Sequence, residues 1–129
     1  MVLCVDTDFV VDLLAQRSEA EAAVASMSGP AFLPAIAVHE LLFSASERRI
    51  AQVETFVRDY PVIPVDFAVS SLAAEIQRDL AEHGQLIPDF DALIAATAIL
   101  ANATLVTSDA HYDRVPSRFG LSLQRYRRE

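Results

Sequence analysis

The sequence predicts one α/β domain: a short, mostly parallel sheet of four to five strands flanked by helices. Three observations carry this. Brief apolar runs of strand length, at residues 2–5, 31–33 and 104–107, alternate with longer segments whose apolar residues recur at helical spacing. These runs lie too far apart for hairpins, which leaves parallel pairing through helical crossovers. Finally, 129 residues with 53% hydrophobic content and three glycines suffice for one packed core and are too few for two ordinary domains, so residues 1–129 are expected to be a single domain.

Val2 to Val5 is apolar and ends at an acid, as a strand feeding a helix does. That helix is predicted from Thr7 or Asp8 to about Met27, with Ser18 the point at which it could break, until Gly29 and Pro30 stop it. A second strand covers Ala31 to Leu33. Pro34 then opens a helix over 35–46 with Glu40 in its middle, and further helix follows over 48–59. Residues 60–65 carry two prolines and make at most an edge strand or a connector. Asp66 caps a helix whose face is Val69, Leu72, Ala73, Ile76 and Leu80, ending at His83 and Gly84. Pro88 and Asp89, the expected N-cap, start an apolar helix to about Ala101; Thr104 to Thr107 is the third strand and Leu121 to Gln124 a fourth.

The single cysteine, Cys4, lies in an apolar run and cannot form an intrachain disulfide. With no apolar stretch of membrane-spanning length and no basic n-region at the N-terminus, the expectation is a cytoplasmic protein that does not enter a membrane. All ten basic residues are arginine, and five (Arg114, Arg118, Arg125, Arg127, Arg128) fall in the last sixteen positions. A net charge of −8 repels a polyanion, so nucleic-acid binding needs local compensation by arginine or metal.

The acids fall where a ligand site is expected. Parallel sheets bind ligands at the carboxyl ends of their strands, and Asp6 (LCVD) and Asp109 (LVTSD) directly follow two strands. Glu40 shares a helical stripe with Ile36 and Phe43, where the bland alternative is a salt bridge to Arg48 or Arg49. Asp91 leads the inward stripe of Ile94, Ala95, Ala98 and Ile99, where the alternative is stabilisation of the helix N-terminus. If the four converge, each close pair costs about 4 kcal/mol at 4 Å with an effective dielectric of 20. A hard divalent ion with oxygen ligands, Mg²⁺ or Mn²⁺, resolves the repulsion, and such ions act on phosphates. No zinc spacing is present, and His111 is expected in a loop. Of the opening VDTDFVVD, Asp12 falls on the polar side of its helix with Asp8, Gln16 and Glu19 and is expected in solvent, while Asp8 marks the rim of the site.

Almost the whole chain resembles the PIN-domain ribonucleases, and more closely the VapC-type toxins of toxin–antitoxin pairs. The residues that carry the resemblance are VDT at 5–7, HELLFSA at 39–45, IPDFDALIAATA at 87–98 and LVTSDAHYDRV at 105–115. It implies a PIN-like three-layer sandwich, with Asp6, Glu40, Asp91 and Asp109 as catalytic acids and ligands of Mg²⁺ (or Mn²⁺), Thr107 and Thr7 in support. The implied activity is endonucleolytic hydrolysis of RNA by water that the ion activates. The implied partners are a VapB-like antitoxin that silences the site and a second copy in a homodimer, together forming a toxin–antitoxin hetero-oligomer. Two positions depart from the pattern: Asp8 stands where Asn or Ser is common, and Tyr112 where Phe is common. The tail RYRRE, with Arg114 and Arg118, could contact RNA phosphates or simply be solvated.

Two rival classes differ in what they explain. VDTDFV also matches the acid-x-acid signature of haloacid-dehalogenase-like phosphatases, with Asp6 as nucleophile and Asp8 as acid/base. That chemistry calls for a basic residue, usually lysine, at a later strand end; the chain has no lysine, and Glu40 and Asp91 are left without a role. The other rival is a non-catalytic module that binds RNA or an antitoxin and uses its acids only as helix caps.

Overall fold

The computed structural model describes residues 1–126; Arg127, Arg128 and Glu129, and with them most of the RYRRE tail, lie outside the described residues. Five strands form one sheet in the order β3-β2-β1-β4-β5, every neighbouring pair parallel. They are β1 (Leu3–Val5), β2 (Ala31–Pro34), β3 (Val62–Ile63), β4 (Thr104–Thr107) and β5 (Ser122–Arg125). The connector with two prolines does contain an edge strand, two residues long, and the last strand begins one residue later than its sequence pattern suggests.

Strand alternation separates the three layers. Cys4, Phe32 and Leu105 face a core built with α5 (Phe67–Glu82) and α6 (Asp89–Leu100). Leu3, Val5, Leu33 and Val106 face a second core with α1 (Thr7–Leu14), α2 (Ser18–Ser26), α3 (Ala35–Ser44) and α4 (Ile50–Arg58). Because β1, β2 and β4 are covered on both sides, their sequences are continuously apolar rather than alternating. Cys4 is wholly buried, and burial, then the charge of Asp6, pushes its thiol pKa far up, so it acts as a small apolar group. No helix among the described residues is long and apolar enough to cross a membrane.

The helix boundaries follow local chemistry. The break expected near Ser18 comes at Gln16, in the left-handed region with φ 59°. α5 is capped by Asp66, whose carboxylate accepts from the Val69 amide at 2.9 Å, and it closes on Gly84 at φ 64°. α6 departs from expectation: Pro88 occupies the N-cap, and Asp89 is the first helical residue, its carboxylate accepting from the Gln77 amide at 3.2 Å. A proline at that position has φ −56° and ψ 144°, already the extended geometry that a helix entry needs.

Asp12 requires a larger correction. It is 1% exposed, not solvated, and it accepts a hydrogen bond from the Tyr126 hydroxyl at 2.8 Å, with Arg17 Nε 3.8 Å from its other oxygen. Tyr126 directly follows β5 and packs edge-on against Phe9, so the chain's last described residue pins the end of the sheet to α1. Helical periodicity puts Asp12 beside Asp8, but periodicity holds no information about a residue 114 positions away that covers that face. Tyr126→Phe is expected to lower stability by about 1–2 kcal/mol by leaving a buried carboxylate short of a donor, measurable by urea denaturation.

Candidate active site

The strand order reverses beside β1: β2 and β3 lie on one side, β4 and β5 on the other. At such a switch point the crossover loops diverge and leave a crevice at the carboxyl ends of the strands. Val5 pairs with Val106, and the Asp6 amide continues the ladder to the Val106 carbonyl at 3.1 Å, so the residues after β1 and β4 emerge side by side there. The crevice is lined by Asp6, Thr7, Asp8, Val11, Glu40, Asp91 and Asp109. All four acids singled out from the sequence thus face one cleft, each delivered by a different element.

Asp6 is the deepest, 5% exposed, and caps α1 through the Thr7 amide at 2.8 Å. Its second oxygen accepts from the Thr107 hydroxyl at 2.7 Å, and the Tyr112 hydroxyl donates to the first at 3.3 Å. Burial, then the charge of Asp8, raises its pKa well above the carboxylate range, against the opposing hydrogen bonds from Thr107 and Thr7. Thr7 turns its hydroxyl outward to Glu40 and donates at 2.8 Å. Thr107 links the two rims, since its oxygen also accepts from the Asp109 amide at 3.0 Å.

Glu40 reaches the cleft by a route other than the expected one. The core stripe of α3 is Ala37 and Leu41, whereas Phe43, its presumed inward neighbour, is exposed. Glu40 therefore sits at the boundary of the buried face, half-buried and aimed at the sheet edge. Among the described residues neither Arg48 nor Arg49 pairs with it, which removes the bland salt-bridge alternative.

Asp91 lies in the first turn of α6, with its pKa raised by burial and further by Asp109 and Glu40. His111 bridges it to Asp109: Nδ1 lies 2.9 Å from an Asp91 oxygen and 3.2 Å from an Asp109 oxygen. A carboxylate oxygen accepts, so Nδ1 carrying its hydrogen is placed to donate to either acid. His111 is thus part of the site, in a 3-10 turn (Ala110–Arg114) that Asp109 caps through the His111 amide at 2.8 Å. The sequence signal for it was the D-x-H spacing, in which a capping acid brings the residue two positions on back toward itself. Ser108 and Tyr112 were likewise missed. Asp8 accepts from the Ser108 amide at 3.0 Å and from the Ser108 hydroxyl, fixing Asp8 at the rim.

The cleft has the character of a hard-cation site. Its charged groups are carboxylates, and among the described residues no arginine pairs with Asp6, Glu40, Asp91 or Asp109. One Asp8 oxygen is buried without a hydrogen-bond partner, and Asp91, Asp109 and His111 present ligand atoms within 4.8 Å of one another. Oxygen donors in excess of local positive charge suit a divalent ion of the Mg²⁺ or Mn²⁺ type. The nearby arginines direct their charge to other groups: Arg125 is bidentate to Asp113 at 2.7 Å and reaches only the backbone carbonyl of Asp109, at 3.1 Å, Arg118 pairs with Asp79 at 2.7 Å, and Arg114 donates to the Leu86 carbonyl at 2.9 Å.

Comparison with known proteins gives a consistent result. The sequence profile of the PIN domain matches residues 3–117. The chain is 30% identical over 123 residues to Ribonuclease VapC1 of Methanocaldococcus jannaschii, covering 94% of this chain and 85% of that one. In fold it is similar to a chain of VapBC2 from Rickettsia felis bound to a DNA fragment from their promoter, with a TM-score of 0.82 at 22% identity, covering 97% of this chain and 98% of that one. A chain of DNA-bound VapBC from Salmonella typhimurium superposes with a TM-score of 0.81 at 20% identity, again covering 97% and 98%.

Proposed function

This chain belongs to the PIN-domain family, and from that premise we propose that it is a divalent-metal-dependent endoribonuclease, the toxin of a toxin–antitoxin pair. The observation that carries this reading is the convergence of Asp6, Glu40, Asp91 and Asp109, from four separate elements, on one cleft with no arginine pairing them among the described residues. The name of its archaeal relative gives the reaction class.

Asp6, Glu40, Asp91 and Asp109 would hold Mg²⁺, or Mn²⁺, which when bound neutralises phosphate charge and acidifies water for hydrolysis of the phosphodiester. The remaining work belongs to the chain's own residues. Thr107 and the Thr7 amide fix the two oxygens of Asp6, so that its carboxylate plane is set before substrate arrives. The Thr7 hydroxyl does the same for Glu40. His111 holds Asp91 and Asp109 at a fixed separation through Nδ1. No side chain need form a covalent bond to phosphorus.

The partners follow from the same reading. A VapB-like antitoxin is proposed to cover the cleft, with a basic side chain meeting its acids, and two copies of the toxin to associate. The test is direct: purified protein should cleave single-stranded RNA with Mg²⁺ or Mn²⁺, and not in EDTA or with the antitoxin added. Failure to cleave any RNA with either ion would leave the binding-module alternative.

Asp8 separates this reading from the phosphatase. It is the acid/base in that chemistry, whereas here it is anchored to Ser108 at the rim. Asp8→Asn keeps an oxygen to accept from Ser108 and removes one repelling charge from Asp6, so ribonuclease activity is expected to stay within about tenfold of the parent. A phosphatase would lose turnover altogether.

A further inference from the structure

A cluster of aromatic rings borders the acid cleft, and the cleft's own chemistry does not use it. Phe43 is 83% exposed and Phe90 41%, on α3 and α6 respectively, with His39 between them. The His39 and Phe43 rings are nearly parallel, 15° apart with centroids at 6.0 Å, and Phe90 meets His39 edge-on at 5.8 Å. Together with Thr7, Glu40 and Ser44 these three rings line a second hollow, and Thr7 and Glu40 line the acid cleft as well. The helix explains the juxtaposition: residues 39 and 43 are one turn apart on one side of α3, while Glu40 is rotated about 100° toward the sheet edge.

We infer that His39, Phe43 and Phe90 form a stacking platform for a nucleobase of single-stranded RNA, adjoining the phosphate held at the acids. The inference rests on the ribonuclease reading. Charge argues for it. A protein of net charge −8, whose Arg114, Arg118 and Arg125 are already engaged, gains little attraction for the RNA backbone from those arginines. Stacking on a ring face is insensitive to that charge and indifferent to base identity, so it can hold a substrate strand where electrostatics does not. Continuity argues for it too, because a phosphate at the acids and a base on the rings share the wall formed by Thr7 and Glu40.

The test measures binding by fluorescence anisotropy with Mg²⁺ present, in an Asp91→Asn background so that RNA survives. The probes are a fluorescein-labelled single-stranded RNA of mixed sequence and an abasic oligoribonucleotide of the same length. RNA is expected to bind at least tenfold more tightly than the abasic strand. Phe43→Leu should weaken RNA binding about tenfold and leave abasic binding unchanged, the magnitude of one stacked base. Phe43→Trp should preserve it, and Phe67→Leu, at an exposed ring that lines neither hollow, should change neither probe. Equal loss on both probes, or none on either, overturns the platform. So does conversion of a dimer to a monomer by Phe43→Leu, in sedimentation, with RNA affinity retained; the rings would then pack against a second copy. If the parent with Asp91 intact cuts RNA while Phe43→Leu changes nothing, only the platform falls. If the parent neither cuts nor binds RNA, the ribonuclease reading falls with it.

Discussion

Asp91→Asn is expected to lower RNA cleavage on the order of 10³-fold while leaving the protein folded and at least as stable as the parent in EDTA. The substitution conserves shape. Asparagine still offers an oxygen to His111 Nδ1, so the 3-10 turn beside the site keeps its anchor. What disappears is a charge that the fold holds against burial and against Asp109 and Glu40, all of which raise the Asp91 pKa. Removing a strained charge does not destabilise the apo protein, but it removes a quarter of the charge that would bind the cation. Cleavage of labelled RNA on a gel, with thermal melting of the same preparation, separates the two effects. Activity within tenfold of the parent would refute the placement of Asp91 in the machinery. Asp12 supplies the contrast: although it lies one helical turn from Asp8, it is buried against Tyr126 and does not line the cleft, so its loss should cost stability and not chemistry.

Why the acids could be found from sequence and Asp12 could not is a matter of range. Asp6 and Asp109 are fixed by local rules, since an apolar strand must end before its helix and the acid at that junction faces the sheet edge. Asp91 is fixed by the phase of its own helix. Glu40 lines the cleft for a reason partly different from the expected one: the inward stripe runs through Ala37 and Leu41, and Phe43, expected beside it on the inward face, is 83% exposed. A helix clad in apolar residues on most sides, as α3 is, does not reveal its buried face by periodicity. His111 and Tyr112 needed the 3-10 turn after β4, which has no apolar period at all. The parallel sheet, by contrast, follows from element order alone, because strands separated by helices have few other ways to pair.

Divalent metal is expected to raise the melting temperature by roughly 10 °C at saturation, and by more at pH 8 than at pH 5.5. A ligand present at a hundred times its dissociation constant stabilises the native state by about 2.7 kcal/mol, which for a domain of this size corresponds to roughly 3–5 °C per kcal/mol. The pH dependence has a definite sign. Asp6 and Asp91 have raised pKa values, so the folded protein binds their protons more tightly than the unfolded chain does. Their contribution to stability is therefore complete below the ordinary carboxylate range and is lost as pH rises through their raised values. In EDTA these two groups make the protein less stable at pH 8 than at pH 5.5. A bound cation needs the ionised form, so it competes with those protons and its increment grows as they leave. Melting curves at the two pH values, each with EDTA or MgCl₂, contain the whole test. Asp6→Asn identifies the site, since it should remove most of the increment only if the ion binds in the cleft; an increment that survives the substitution would mean that the ion binds elsewhere.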